Sequence, residues 1–231
     1  MAVGGAKAWV EELRIAVEHA GAGEVSGVLL RPPQAETLLV LAHGAGAGMT
    51  HPFLETLARE LAAFQVATLR YEFPYMEHGR KIPDVPSVLT ATVRAAVRTA
   101  KERAPDLPLL AAGKSMGGRM TSQAAAQEPL DKVRGLVFVG FPLHPPARPG
   151  TERADHLARV NVPMLFLQGT RDQFAHLDLL RPVCSELGSR ASLHVVEGAD
   201  HSFHVLKRSG TNDAEVMTEL AQTMASWAKM I

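Results

Sequence analysis

The chain of 231 residues carries 24 basic against 24 acidic side chains, a balance that offers no field to attract nucleic acid or an anionic membrane. A hydrophobic fraction of 46% with 21% charged residues excludes disordered and fibrous classes. Cys184 is the only cysteine, so no internal disulfide is expected; Met1 to Ala8 lacks the apolar stretch of a secretory signal, no run approaches a membrane span, and the expected location is cytoplasmic.

In chain order, Val10, Leu13 and Ile15, then Val25, Val28 and Leu30 beyond Gly21 and Gly23, predict an antiparallel N-terminal edge hairpin. The rhythm then changes. Apolar strand segments at 37–42, 66–71, 107–112, 133–139, 163–167 and 192–196 alternate with helical patterns at 53–63, 87–103, 118–127, 176–187 and 212–228. This alternation predicts a mostly parallel, twisted α/β sheet with helices on both faces, and no linker divides the chain, so 1–231 is expected to be a single domain. Pro52 and Pro86 suit first helical turns.

The run Leu38 to Ala42 leads into His43-Gly44-Ala45-Gly46-Ala47-Gly48, a glycine-rich loop whose backbone N–H groups can meet a developing negative charge. Ala45 is the first choice of donor from this loop and Gly46 the reserve. Gly46 and, around the end of the strand at 66–71, Tyr71, Phe73, Tyr75 and Met76 are candidates for lining a substrate pocket, and core packing explains aromatic residues there equally well. Arg94, Arg98 and Lys101 share one helical face and read as solvated surface.

Gly113-Lys114-Ser115-Met116-Gly117 ends one apolar strand and opens a stretch of small residues. A G-x-S-x-G between strand and helix places serine on a sharp turn, with its hydroxyl exposed above the sheet and glycines where strand and helix come too close for side chains. The N–H of Met116 joins that of Ala45 as the expected oxyanion-binding pair. A phosphate-binding G-x-x-x-x-G-K-S loop is rejected, because Pro108 occupies the required first glycine.

Serine is a weak nucleophile until a histidine takes its proton and a carboxylate orients that histidine. Asp172 follows the run Met164 to Leu167, and His201 follows Leu193 to Val196, so each falls in a loop after a predicted strand, where an open α/β sheet assembles its site. Asp178 and His204 are the alternatives: Asp178 lies within a helical pattern, and His204 stands three residues beyond the favoured position. Asp200 is a poor orienter for its neighbour His201, since adjacent side chains on an extended segment point apart. No H-E-x-x-H or comparable spacing supports a metal site. Cys184 reads as a buried thiol in a helix.

Phe141 to Gly150 holds Pro142, Pro145, Pro146 and Pro149, too many for a helix or a central strand. It is expected to cross the top of the sheet as a rim, leaving a minimal cap and a shallow, open pocket.

With the order Ser, Asp, His, the chain resembles the α/β-hydrolase superfamily from about Leu38 to the C-terminus. It looks closest to the small, compact branch of dienelactone-hydrolase-like proteins and unassigned hydrolases, with serine where some of those enzymes use cysteine. His43-Gly44-Ala45-Gly46, Arg70-Tyr71-Glu72-Phe73-Pro74-Tyr75 and Gly113-Lys114-Ser115-Met116-Gly117-Gly118 are similar to a subgroup whose eukaryotic relatives include a subunit of a chromatin-modifying complex. The resemblance implies the fold and the roles of the three residues. The function expected from it is hydrolysis of a small carboxylic ester or thioester without a cofactor, with two alternatives: a short-peptide peptidase, or a hydrolase-fold scaffold that binds a partner without turnover.

Overall fold

The computed structural model describes residues 8–231; the expectation about a secretory signal rests mainly on residues 1–7, outside that range. Eight strands form one sheet: β1 Trp9–Ala16, β2 Glu24–Arg31, β3 Thr37–Ala42, β4 Val66–Tyr71, β5 Leu109–Lys114, β6 Val133–Val139, β7 Met164–Gly169 and β8 Ala191–Val196. Their spatial order is β1-β2-β4-β3-β5-β6-β7-β8. β2 runs antiparallel to both β1 and β4, whereas every pairing from β4 to β8 is parallel. The expected edge hairpin is thus β1–β2.

Consecutive residues of a strand point to opposite faces, so the central strands, apolar throughout, need cover on both sides. Leu39, Leu41, Leu110 and Val137 face helices α1 (Pro52–Ala63) and α6 (Asp213–Ala228), meeting Leu57, Leu61, Leu220 and Trp227. Leu38, Val40, Ala111 and Phe138 belong to the larger cluster on the other face, which α3 (Pro86–Arg103), α4 (Met116–Gln127) and α5 (Leu177–Leu187) complete. Among the described residues no helix is long and apolar enough to cross a membrane.

Several boundaries differ from expectation, each for a tertiary reason. The helix expected from 118 starts at Met116, directly after Ser115. Gly117 and Gly118 look like helix breakers in sequence, yet a Cβ on Gly113 would sit 2.2 Å from the Gly117 carbonyl carbon. These glycines answer a close approach of strand and helix. β5 starts at Leu109, because Pro108 has no N–H and takes part only through its oxygen, which accepts from Leu38 N–H at 2.9 Å. A one-turn helix α2 at Pro74–Glu77 and a 3₁₀ segment at Glu152–Arg159 are additions that no periodicity announces.

Phe141 to Gly150 forms neither helix nor strand. Its first four residues are buried and Pro146 to Pro149 are exposed, and none of the segment borders the cavity at Ser115, so the expected rim is not formed by it. His144 N–H donates to Phe174 O at 2.9 Å and His144 Nε2 accepts from His176 N–H at 3.2 Å, which stitches the segment to the loop after β7.

Candidate active site

The end of β5 turns into α4 within one residue, and Ser115 takes φ 52° and ψ −117° to do so. A side chain in this region carries about 1–3 kcal/mol of strain and persists only where the surroundings fix it. Here Ser115 N–H donates to Val139 O at 3.1 Å, and Ser115 O accepts from Arg119 N–H at 3.2 Å. Gly117 is pressed onto the end of β3, where a Cβ would lie 2.6 Å from the carbonyl oxygens of Ala42 and His43. The result is an outward-facing hydroxyl above the C-terminal edge of the sheet.

His201 Nε2 lies 2.9 Å from Ser115 Oγ, and His201 Nδ1 lies 2.7 Å from Asp172 Oδ2. A carboxylate can only accept, so Nδ1 carries the ring proton and Nε2 is free to accept from the serine hydroxyl. Asp172 is buried, and its second oxygen accepts from Phe174 N–H at 2.7 Å while Gln168 Nε2 donates to the first. The Phe174 ring packs against the imidazole at 4.4 Å between centroids. Asp200 shapes the loop: its Oδ1 accepts from Ser202 N–H at 2.8 Å and His204 N–H at 3.0 Å.

The two alternatives sit elsewhere. His204 is exposed and pairs with Asp213 at 2.8 Å, which raises its pKa by hydrogen bonding and charge. Asp178 is exposed in the first turn of α5.

The loop after β3 is clamped by the segment after β4. Gly46 N–H donates to Tyr75 Oη at 3.0 Å, Met49 N–H to Glu72 Oε1 at 2.9 Å, and Arg70 Nη1 to Met49 O at 2.9 Å. His43, fully buried, accepts from Phe73 N–H through Nε2 at 3.0 Å, so its Nδ1–H points to Gly44 O at 2.7 Å. Among the described residues no acceptor takes the N–H of Ala45 or of Met116, whereas that of Gly46 is spent on Tyr75.

Gly46, Tyr71, Phe73, Tyr75 and Met76 do not line the cavity at Ser115. Tyr71 is wholly buried beside Thr121, and burial drives its phenol far above the ordinary range. Tyr75 is buried with its hydroxyl on Gly46, and Met76 packs onto the core and reaches the neighbourhood of Gly48. The sequence signal in this stretch belongs to loop anchoring.

The cavity at Ser115 has a volume of about 340 Å³, bordered by Ala45, Ala47, Phe53, Leu54, Phe174 and His201. A larger hollow of about 880 Å³ lies at the opposite edge of the sheet, beside Leu109 and Lys132. Arg94 and Lys101 line it but are engaged by Glu128 and Asp131, and no nucleophile is there. Among the described residues, no group of three or more His, Cys, Asp or Glu side chains is arranged to hold a metal.

An eight-stranded, mostly parallel sheet with a serine on a strained turn after its central strand has the architecture of the α/β-hydrolase fold. The family model described as an alpha/beta hydrolase domain matches residues 35–229, and the chain belongs to that family. Solved structures of the same fold include the dienelactone hydrolase from Anabaena variabilis, with TM-score 0.76, 20% identity, and coverage of 97% of this chain and 99% of that one. An α/β serine hydrolase homologue from Coxiella burnetii has TM-score 0.73 at 20% identity, covering 94% and 96%. A serine hydrolase without a lid from Xanthomonas campestris has TM-score 0.71 at 18% identity, covering 94% of each chain.

Proposed function

We propose that this hydrolase cleaves small carboxylic esters or thioesters through an acyl-enzyme on Ser115. The observation that carries the proposal is the continuous run of contacts from Ser115 Oγ to His201 Nε2 at 2.9 Å and from His201 Nδ1 to Asp172 Oδ2 at 2.7 Å. In this reading Ser115 Oγ attacks the carbonyl carbon while its proton passes to His201 Nε2. The resulting imidazolium is stabilised by Asp172, and the oxyanion is met by the N–H groups of Ala45 and Met116. Collapse expels the alkoxide or thiolate, which takes the proton from His201. Water then repeats the sequence on the acyl-enzyme and releases the acid.

Preorganisation of the oxyanion loop supports this chemistry. Gly46 is held by Tyr75, and Met49 by Glu72 and Arg70, so the loop presents Ala45 N–H without rearrangement. All the groups required come from the chain, and no cofactor is invoked.

Active-site labelling with a fluorophosphonate tests the proposal. The folded protein should be labelled on Ser115 and the Ser115→Ala variant should not; a folded protein that resists labelling while a control esterase reacts would favour a non-catalytic scaffold.

A further inference from the structure

Lys114 is the last residue of β5 and immediate neighbour of Ser115, yet the chemistry above gives it no role. The residue is half-buried and borders the cavity. Its hydrogen-bond partner is the main-chain oxygen of His201, 2.6 Å from Nζ. The ring centroids of Phe53 and Phe203 lie 5.8 and 5.6 Å from Nζ, each within cation–π range. On a further side, a Cβ added to Gly140 would come within 3.1 Å of Nζ and 3.5 Å of the His201 ring. The ammonium thus lies between the histidine loop, two aromatic faces and Gly140, beside the cavity.

A lysine ammonium so placed without a carboxylate in contact is unfavourable unless its position serves something. The acids nearby are already engaged: Asp172 holds the His201 ring, and Asp200 accepts from Ser202 and His204 N–H groups. His51, ahead of α1, also borders the cavity, with its Nδ1 accepting from Phe53 N–H.

We propose that Lys114 is a positioning residue that locks the loop carrying His201 onto the strand carrying Ser115. The proposal rests on the serine-hydrolase reading above. The bonds close a ring: Lys114 reaches His201 O through Nζ, the His201 ring reaches Ser115 Oγ through Nε2, and Ser115 returns to Lys114 through one peptide bond. Nucleophile and base are therefore held together from both ends of the histidine residue. A displacement of about 1 Å between reacting groups costs on the order of a hundredfold in rate, so a lock at this point acts on turnover and leaves substrate affinity alone. Charge matters to the lock, because a hydrogen bond from an ionised donor is roughly twice as strong as a neutral one. Burial pushes the Lys114 ammonium down to about 8, with Asp172 and Asp200 partly opposing the shift. The lock therefore weakens within the range of an ordinary assay.

The test is the rate of fluorophosphonate labelling and of ester turnover against pH for the wild type, Lys114→Met and Lys114→Gln, with folding followed by circular dichroism. In the wild type both rates should fall as pH rises through about 8. Lys114→Met should lose about ten- to a hundredfold in kcat with KM within about twofold, and its profile should be flat from about pH 7 to 9.5. Lys114→Gln, which keeps a donor but no charge, should recover part of the loss with the same flat profile. The inference is overturned if Lys114→Met keeps wild-type rates and pH dependence, or if its whole effect falls on KM, which would make Lys114 a substrate contact. Lys114→Gln with wild-type kcat and a wild-type pH profile also overturns it, and this arm decides the matter even if Lys114→Met fails to fold. Wild-type protein that is not labelled at all overturns the serine-hydrolase reading and this inference with it.

Discussion

The phenolic oxygen of Tyr75 accepts the backbone N–H of Gly46 at 3.0 Å, joining residues 29 positions apart in the chain. The bond engages the Gly46 N–H and ties down the loop that carries Ala45. Tyr75→Phe deletes one oxygen and leaves the N–H of the exposed Gly46 to water, at a cost of about 0.5–1.5 kcal/mol in stability. Turnover of a short ester should drop roughly tenfold with KM nearly unchanged, as expected when an interaction made only in the transition state is loosened. Steady-state kinetics with thermal denaturation checks both; unchanged kcat would show that Arg70 and Glu72 suffice to hold the loop.

Asp172→Asn preserves the shape of the buried side chain but places an amide opposite His201 Nδ1, favouring the wrong tautomer. Turnover should fall by about ten-thousand-fold. Asp178→Asn alters only an exposed residue of α5 and should behave as wild type. Parallel kcat measurements on the two variants decide the carboxylate, and a larger effect at position 178 would reverse the assignment.

Ser115→Gly replaces a strained side chain with the residue that adopts φ 52° freely. The relief, less the entropy that glycine loses on folding, should stabilise the fold by about 1 kcal/mol, or roughly 2–4 °C in Tm for a chain of this size. Any hydrolytic activity should disappear. Calorimetry of the variant showing a lower Tm would mean that the turn stores no strain.

His156 is buried against Ser122, with its Nε2 2.8 Å from the serine oxygen, and its pKa is pushed down to about 4, chiefly by burial and then by Arg159 and Arg119. The folded state thus resists a proton that the unfolded chain accepts at about 6.5. Stability associated with this residue is complete above the unfolded value and is lost as pH falls from about 6.5 towards 4, by an amount on the order of a few kcal/mol. Urea denaturation of His156→Gln across this window should show a flatter decline than wild type; parallel curves would remove His156 from the acid response.

Catalytic efficiency towards p-nitrophenyl esters should peak at short acyl chains, with no jump above the solubility limit of the substrate. The cavity holds about 340 Å³, and Phe141 to Gly150 forms no helix and does not border it. Methylenes beyond the cavity remain in water and gain none of the roughly 0.8 kcal/mol each that burial provides. A steady rise in efficiency to palmitate, or activation on emulsified triglyceride, would contradict this.

The strand and helix order was legible in the sequence because parallel, doubly covered strands are apolar throughout and their helices amphipathic. The chain order Ser115, Asp172, His201 likewise pointed to residues that the structure gathers at one place, with Ser115 and Asp172 each within hydrogen-bond distance of His201. What escaped detection depends on contacts between distant segments. Gly117 and Gly118 suggest a helix boundary until the approach of Gly113 is known. Tyr71 and Tyr75 carry the same side chain four residues apart, yet one enters the core beside Thr121 and the other anchors Gly46. No periodicity separates those destinations. Lys114 has no distinguishing signal beside its serine, and only the return of the chain at His201 encloses it.

The turn at Ser115 is held from outside itself: by Val139 through a hydrogen bond and by the end of β3 pressing on Gly117. Segments that meet there are remote in sequence, so the serine acquires its geometry only after β3, β5 and β6 have docked side by side. A chain that has collapsed without that docking has the same residues and no aligned nucleophile. The geometry at Ser115 therefore belongs to the assembled sheet and is lost when these strands come apart.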